Sequence, residues 1–285
     1  MSETSLTGRT HRELEVRIEP TSGWRAVSLK ELWDYREVVF FLAWRDIKVQ
    51  YKQTIFGFAW AVFQPLMAMV IFSVIFGKVA KIPSDGIPYP IFSYAALVPW
   101  YFFANSITKA SNSLVGGGNI LKQIYFPRLA MPLSAVLANC LDFALAFTVL
   151  LVMMAFYGIV PTANVVWLPA LLLLALGAAL GVSFILTAMN VQFRDVRHAM
   201  TFLVQAWMFA TPVVYPSSLI EDPFWHAMYS LNPMVGVIEG FRWALLGTDT
   251  APDTSILISV AVSICLLVVG TLYFKRMERT FADVV

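Results

Sequence analysis

Apolar residues recur in six long stretches along the chain, and short polar segments separate them. A helix that crosses a bilayer needs about 20 predominantly apolar residues, and most of these stretches approach or exceed that length. The pattern therefore predicts an all-α, polytopic integral membrane protein with six transmembrane helices. The predicted spans cover residues 56–77, 91–107, 132–157, 165–189, 199–214 and 255–274.

The residues before the first span divide into two parts. Residues 1–27 are polar and mixed in charge, which predicts a flexible cytoplasmic N-terminus. Ser28 and Glu31 then have the spacing of a capping box, which marks the start of a helix. An apolar run within that helix is too short to cross a bilayer, and aromatic and basic side chains surround it. We therefore expect an amphipathic interfacial helix over residues 28–53, followed by the membrane domain at 54–285.

The segment between the last two spans, residues 217–254, is long, acidic and partly apolar. Two apolar stretches within it, 224–231 and 234–246, are too short to cross. Irregular backbone at membrane depth is tolerated only where protein or a water-filled cavity surrounds it, so we expect short re-entrant or interfacial helices at the outer mouth of a pathway. A surface loop carrying two amphipathic helices is an equally supported alternative. Glu239 and Arg242 have the spacing of a helical ion pair.

Basic residues are distributed unevenly between the two sets of loops. Of 20 Lys and Arg residues, only Lys78, Lys81 and Arg242 fall in the loops that follow the first, third and fifth spans. Cytoplasmic loops of membrane proteins carry an excess of Lys and Arg. The distribution predicts a multi-pass protein of the cytoplasmic (inner) membrane, with both its N-terminus and its C-terminus in the cytoplasm.

Composition and motifs exclude several classes of function. Hydrophobic residues make up 59% of the chain and charged residues 13%, against about 25% charged residues in soluble proteins. No block of like charge indicates nucleic-acid binding. The glycines at 116–118 lack the Gly-Lys-Ser/Thr ending of a phosphate-binding loop, and no His/Cys cluster has metal-ligand spacing. We assign no catalytic residue, no metal and no cofactor to this chain, so any uphill transport would draw its energy from another subunit.

The cytoplasmic segment at residues 119–128 is the sharpest local motif. It is basic and groups aliphatic and aromatic side chains closely, and Pro127 ends its predicted helix. Exposed anchors on a short helix suit a groove on a partner protein. A helix that lies on the lipid surface is the alternative.

Aromatic residues recur at helical spacing in three predicted spans. Sugar rings present apolar faces that stack on aromatic rings, so these rings could line a glycan pathway, although ordinary packing explains any single ring better.

Asp142 is an acid inside a predicted span. Because an ionisable group there is costly, we expect a structural hydrogen bond, with a proton pathway as an alternative.

Several motifs together resemble one family. They lie at residues 44–53, 56–66, 97–103, 119–128, 194–196 and 232–234, with Arg242 downstream. The residue types of these motifs and their order along the chain resemble those of the permease subunit of ABC polysaccharide exporters. Such exporters carry O-antigen, capsule or teichoic acid. The resemblance covers about residues 30–280. It does not extend to the first 27 residues.

The resemblance implies a half-transporter: a homodimer of this permease, working with two copies of a separate ABC ATPase that binds ATP and Mg²⁺. A lipid-linked or long-chain polysaccharide would be the substrate. The implied ATPase-coupling contacts are Asn119, Ile120, Lys122, Gln123, Tyr125, Phe126, Pro127, Arg128, Arg194, Asp195 and Val196. The residues expected to line the substrate pathway are Phe56, Trp60, Phe63, Tyr94, Trp100, Tyr101, Phe202 and Phe209.

Two other functions remain open on the sequence. One is an ABC exporter of a drug or a simple lipid, which would have the same membrane plan. The other is a membrane enzyme that processes glycans with a pair of carboxylates. The acids that could serve it are Glu221, Asp222, Glu239, Asp249 and Asp253.

Overall fold

The computed structural model describes residues 29–52, 57–117, 126–193, 195–220, 222–248, 254–278 and 281. These residues form helices and turns and no strand, which confirms the all-α expectation. The helices are α1 (Leu29–Asp34), α2 (Arg36–Lys52), α3 (Gly57–Phe72), α4 (Tyr89–Gly116), α5 (Ala130–Tyr157), α6 (Leu168–Gln192), α7 (Val196–Phe209), α8 (Pro223–Ser230), α9 (Pro233–Leu246) and α10 (Thr254–Glu278).

Four helical segments of the described chain are long and apolar enough to cross a membrane. They match the first, third, fourth and sixth spans predicted from the sequence. The first joins α3 to a π-helical turn, and the third joins a short 3₁₀ helix to α6. The segments are Gly57–Val79, Ala130–Tyr157, Ala163–Gln192 and Ser255–Glu278.

The other two predicted spans correspond to α4 and α7. Helix α4 has 28 residues, which gives a length of about 42 Å, enough to cross a bilayer. It is nevertheless less apolar than the four segments above. Helix α7 has 14 residues and is about 21 Å long, shorter than the hydrocarbon core. The number of six spans therefore stays a prediction.

Helix α4 is the centre of the bundle. It packs against α3, α5, α6, α7 and α9. Every residue from Ile91 to Trp100 is buried, and polar groups such as Ser93 and Ser106 are buried with them. Because protein surrounds α4, its side chains meet other helices rather than lipid. This explains why α4 can be long and central without being strongly apolar.

The two short helices of the outer segment pack against the rest of the bundle. Asp222 caps α8, and its carboxylate accepts a hydrogen bond from the Phe224 amide. Asn232 caps α9 and also donates to the Thr211 hydroxyl at 2.8 Å, just beyond the end of α7. Twelve of the 14 residues of α9 are buried. Helix α9 is thus part of the bundle core.

Glycines allow α6 and α10 to approach closely. A methyl group added at Gly181 would lie 2.5 Å from the backbone carbon of Leu266 on α10, closer than real contacts allow. A methyl group added at Gly270 on α10 would likewise lie 2.3 Å from the Gly181 carbonyl oxygen. One turn away on α6, Gly177 has open space around the position of a side chain. This contrast offers a test of the packing.

We expect Gly181→Ala to destabilise the protein, because the methyl group would push two backbones apart. Overpacking of this kind costs about 1–3 kcal/mol. Gly177→Ala is the matched control, since it brings the same gain in helix propensity without the clash. Thermal unfolding of both variants in detergent measures the difference. Equal melting temperatures would contradict the close approach of α6 and α10.

Candidate functional site

Part of the predicted coupling segment, residues 119–128, is docked on the bundle. Phe126 is buried, with 5% of its surface exposed. The Arg128 guanidinium donates to the Glu278 carbonyl at 3.0 Å and lies over the ring of Phe281. The Phe126 ring packs against the core and is not exposed, so its contact with a partner stays a prediction. The segment's other predicted contacts, Asn119, Ile120, Lys122, Gln123 and Tyr125, lie outside the described residues.

The second predicted coupling turn precedes α7. Asp195 is exposed, and its backbone carbonyl accepts from the amides of His198 and Ala199 in the first turn of the helix. Arg197 and His198 are also exposed, whereas Val196 is half-buried. The turn presents charge of both signs to its surroundings. Arg194 lies outside the described residues.

A polar cluster lies inside the bundle around Asp142. The Asp142 side chain is 14% exposed, and its carboxylate lies 3.1 Å from the Lys109 ammonium. It also accepts hydrogen bonds from the Gln50 amide at 3.0 Å and from the Tyr51 hydroxyl. The structural hydrogen bond expected for this acid is confirmed. We call Gln50, Tyr51, Lys109, Asn139 and Asp142 the Asp142 cluster.

The Asp142 cluster joins three helices. Gln50 and Tyr51 come from α2, Lys109 from α4, and Asn139 and Asp142 from α5. The Lys109 ammonium also donates to the Asn139 side-chain oxygen at 2.6 Å and to that of Gln50 at 2.8 Å. Burial raises the pKa of Tyr51, and the bond to Asp142 raises it further, so the hydroxyl stays protonated and keeps donating.

Sequence reasoning singled out Asp142 but missed its partners. Lys109 lies just beyond the predicted second span, residues 91–107, and Gln50 and Tyr51 lie in the predicted interfacial helix, residues 28–53. The available signal was the acid within the third predicted span, since intramembrane charges tend to pair with a group of opposite charge on a neighbouring helix. The spacing of residues along a single sequence does not show which helices are neighbours.

Six of the eight predicted pathway residues fall into two groups. Trp60 and Phe63 on α3, and Phe202 and Phe209 on α7, are exposed rings on helix faces that the described chain does not cover. Tyr94 and Trp100 on α4 are buried in the core. Other helices surround these two rings in this structure, so their place along a pathway stays a prediction.

Tyr101 and Phe56 complete the predicted set. Tyr101 is half-buried and lines an open cleft between α3, α4 and α5. Gln64, Asn105 and Asp142 line the same cleft, so it adjoins the Asp142 cluster. Phe56 lies outside the described residues.

Arg242 and Glu239 occupy the outer helix α9 but do not form the expected ion pair. Among the described residues, the buried Arg242 guanidinium donates to the carbonyls of Val213 at 3.0 Å and Phe92 at 3.3 Å, and it stacks on the Phe92 ring. Burial raises the pKa of Glu239, while a bond from Ser217 and the charge of Arg242 partly oppose that rise. Arg242 thus holds α4, α9 and the segment after α7 together.

Comparison with known proteins identifies relatives over most of the chain. Residues 37–246 match the model of the ABC-2 type transporter family. The chain is 33% identical to the O-antigen export system permease protein RfbA of Myxococcus xanthus, over 90% of this chain and 98% of that protein. It is 32% identical to RfbA of Klebsiella pneumoniae, over 84% of this chain and 92% of the relative. It is 22% identical to the polysialic acid transport protein KpsM of Escherichia coli, over 82% and 91%.

The raised pKa of Glu239 predicts how stability depends on pH. The ordinary value is 4.5, and the folded value lies above it, so the folded state holds the proton more tightly than the unfolded state. Stability from this group is full below pH 4.5 and is lost as the pH rises through the folded pKa. Glu239→Gln should flatten this part of the melting-temperature profile, measured in detergent from pH 4 to pH 7. Glu37→Gln, at an exposed position on α2, is the control, and an unchanged profile in Glu239→Gln would refute the prediction.

Proposed function

Because the chain belongs to the ABC-2 type transporter family of membrane proteins, we propose that it is the membrane subunit of an ATP-driven polysaccharide exporter. The observation that carries this proposal is the match over nearly the full length of permeases named for O-antigen export. A third relative is named for transport of polysialic acid, another polysaccharide. The substrate class proposed here is accordingly a lipid-linked or long-chain polysaccharide.

ATP hydrolysis is assigned to a separate subunit. The sequence has no Gly-Lys-Ser/Thr phosphate-binding loop, and the family is one of ABC transporters. Two copies of an ABC ATPase would bind ATP and Mg²⁺ and act on two copies of this permease. The exposed turn at Asp195 and the segment at 119–128 are the surfaces that we propose for contact with the ATPase.

A homodimer with six spans per chain fits the faces that the bundle leaves uncovered. Helices α3 and α7 carry exposed rings, among them Trp60 and Phe202. Large exposed apolar surfaces commonly mark lipid or protein contacts. We propose that these faces meet a second copy and line a pathway there. The rings would stack on the apolar faces of sugars, which lets a polymer slide without tight binding at one register.

The proposed orientation places both termini in the cytoplasm of the inner membrane, as the distribution of basic residues indicates. Helices α8 and α9 would then lie at the outer side as short re-entrant helices. Support comes from the burial of α9 and from the bond of Asn232 to Thr211 at the end of α7. In this arrangement α9 seals the outer end of the bundle.

The sequence's other two candidate functions are less well supported. The names of the relatives favour a polysaccharide as the substrate over a drug or a simple lipid. For a glycan-processing enzyme, the two described acids of the candidate set already have other roles. Asp222 caps α8, and Glu239 is largely buried in α9. Glu221, Asp249 and Asp253 lie outside the described residues.

Deletion of the gene should stop display of a surface polysaccharide and leave its lipid-linked form inside the cell. The wild-type chain, purified from its own membrane in mild detergent, should bring down an ATPase subunit in equal amount by mass spectrometry. Cells that carry the gene on a plasmid control for polar effects. Normal surface glycan in the deletion strain, with no ATPase recovered, would overturn the proposal.

Charge reversal at the exposed turn tests the second coupling surface. Asp195→Lys should lower recovery of the ATPase several-fold, with the loss growing at low ionic strength, where exposed charges interact most strongly. Asp85→Lys, in the predicted outer loop, is the matched control and should recover the ATPase normally. Equal recovery with both variants would remove Asp195 from the proposed contact.

A further inference from the structure

We propose that the Asp142 cluster is a latch that ties the interfacial helix α2 to the two helices on either side of the coupling segment. Its role would be to position the coupling segment, so that movement of the ATPase is transmitted to the membrane helices. The inference rests on the proposed export function. It adds Tyr51, Gln50 and Asp142 as positioning residues for coupling.

The placement of the cluster along the chain supports this role. The coupling segment lies between the end of α4 at Gly116 and the start of α5 at Ala130. Lys109 lies seven residues before that end of α4, and Asp142 lies twelve residues after the start of α5. At 1.5 Å per residue these separations are about 10 and 18 Å along the two helices. A displacement of the coupling segment therefore reaches the cluster through two rigid helices.

Helix α2 provides a fixed point on the other side of the latch. Its buried face, with Val39 and Leu42, packs in the core, where α2 meets α5. Its opposite face exposes Phe40, Phe41 and Trp44. Trp and Phe side chains on one face are typical of amphipathic helices that lie at a membrane–water interface. The helix thus connects the membrane surface to α4 and α5.

The chemistry of the cluster makes the connection specific. A carboxylate inside a helix bundle must be paired or hydrogen-bonded, and Asp142 takes donors from both α2 and α4. Among the residues that the structure describes, Lys109 is the basic side chain that pairs with this carboxylate. Because the α2 donors do not change that charge, their separate contribution is to hold α2 in place. Losing them leaves the ion pair in place and removes the hydrogen bonds that tie the end of α2 to Asp142.

Tyr51→Phe removes one of these donors with little other change. The Tyr51 ring stacks on Phe58 with centroids 4.1 Å apart, and a phenylalanine ring can keep that contact. We expect the purified complex with its ATPase to assemble normally and hydrolyse ATP at near the wild-type rate, while export per ATP falls at least fivefold. Tyr35→Phe is the matched control, since the Tyr35 hydroxyl bonds to none of the described residues. It should match the wild type in both measurements.

A pair of double variants separates the tie to α2 from the ion pair. Both variants carry Lys109→Met, which removes the positive charge. The negative charge is removed by Asp142→Asn in one variant and by Asp142→Leu in the other. Asparagine keeps an oxygen that accepts from Tyr51, whereas leucine does not. We expect Asp142→Asn/Lys109→Met to retain most export per ATP and Asp142→Leu/Lys109→Met to lose it at least fivefold. Thermal unfolding in detergent shows whether both variants fold.

The latch is overturned if Tyr51→Phe and Asp142→Leu/Lys109→Met export as much glycan per ATP as the wild type. It is also overturned if complex assembly, ATP hydrolysis and export all fall together, because that result indicates a structural role only. Failure of the proposed function looks different. In that case the wild-type complex itself would show no ATP-dependent export, whatever the state of the latch.

Discussion

A charged carboxylate within an apolar helix bundle has to be matched by donors, and the pairing of Asp142 with Lys109 shows how this chain meets that constraint. The pair joins α4 to α5. Tyr51 and Gln50 bring α2 to the same point. Removing one partner would leave an uncompensated buried charge, which is far more costly than replacing both. The relative positions of three helices therefore depend on a handful of polar atoms.

The helices around the Asp142 cluster differ in what they contact. Helix α4 is enclosed by protein and tolerates polar groups, while the four strongly apolar segments have large uncovered surfaces. Arg242 fixes the other end of α4 by donating to carbonyls of Phe92 and Val213. Helix α4 is thus held by charged side chains near both ends. The exposed aromatic faces of α3 and α7 remain for lipid, a second copy or a substrate.

The sequence predicted the helices well because their apolar stretches and caps are local features. The start of α9 at Pro233, capped by Asn232, follows directly from residue types. It predicted contacts less well, because these depend on which helices meet. Spacing suggested that Glu239 pairs with Arg242, yet backbone carbonyls from other segments lie closer to the guanidinium. Aromatic spacing likewise could not show that Tyr94 faces protein while Phe202 is left uncovered.

The central claim is that this chain carries polysaccharide across a membrane with energy from ATP hydrolysed elsewhere. The most direct measurement uses the purified permease and its ATPase, reconstituted into vesicles with the ATPase outside and lipid-linked glycan in the outer leaflet. Added ATP and Mg²⁺ should move the glycan inward, so that a fraction becomes protected from periodate added outside. Vesicles with a non-hydrolysable ATP analogue should show no protection. Equal protection with and without ATP hydrolysis would contradict the account.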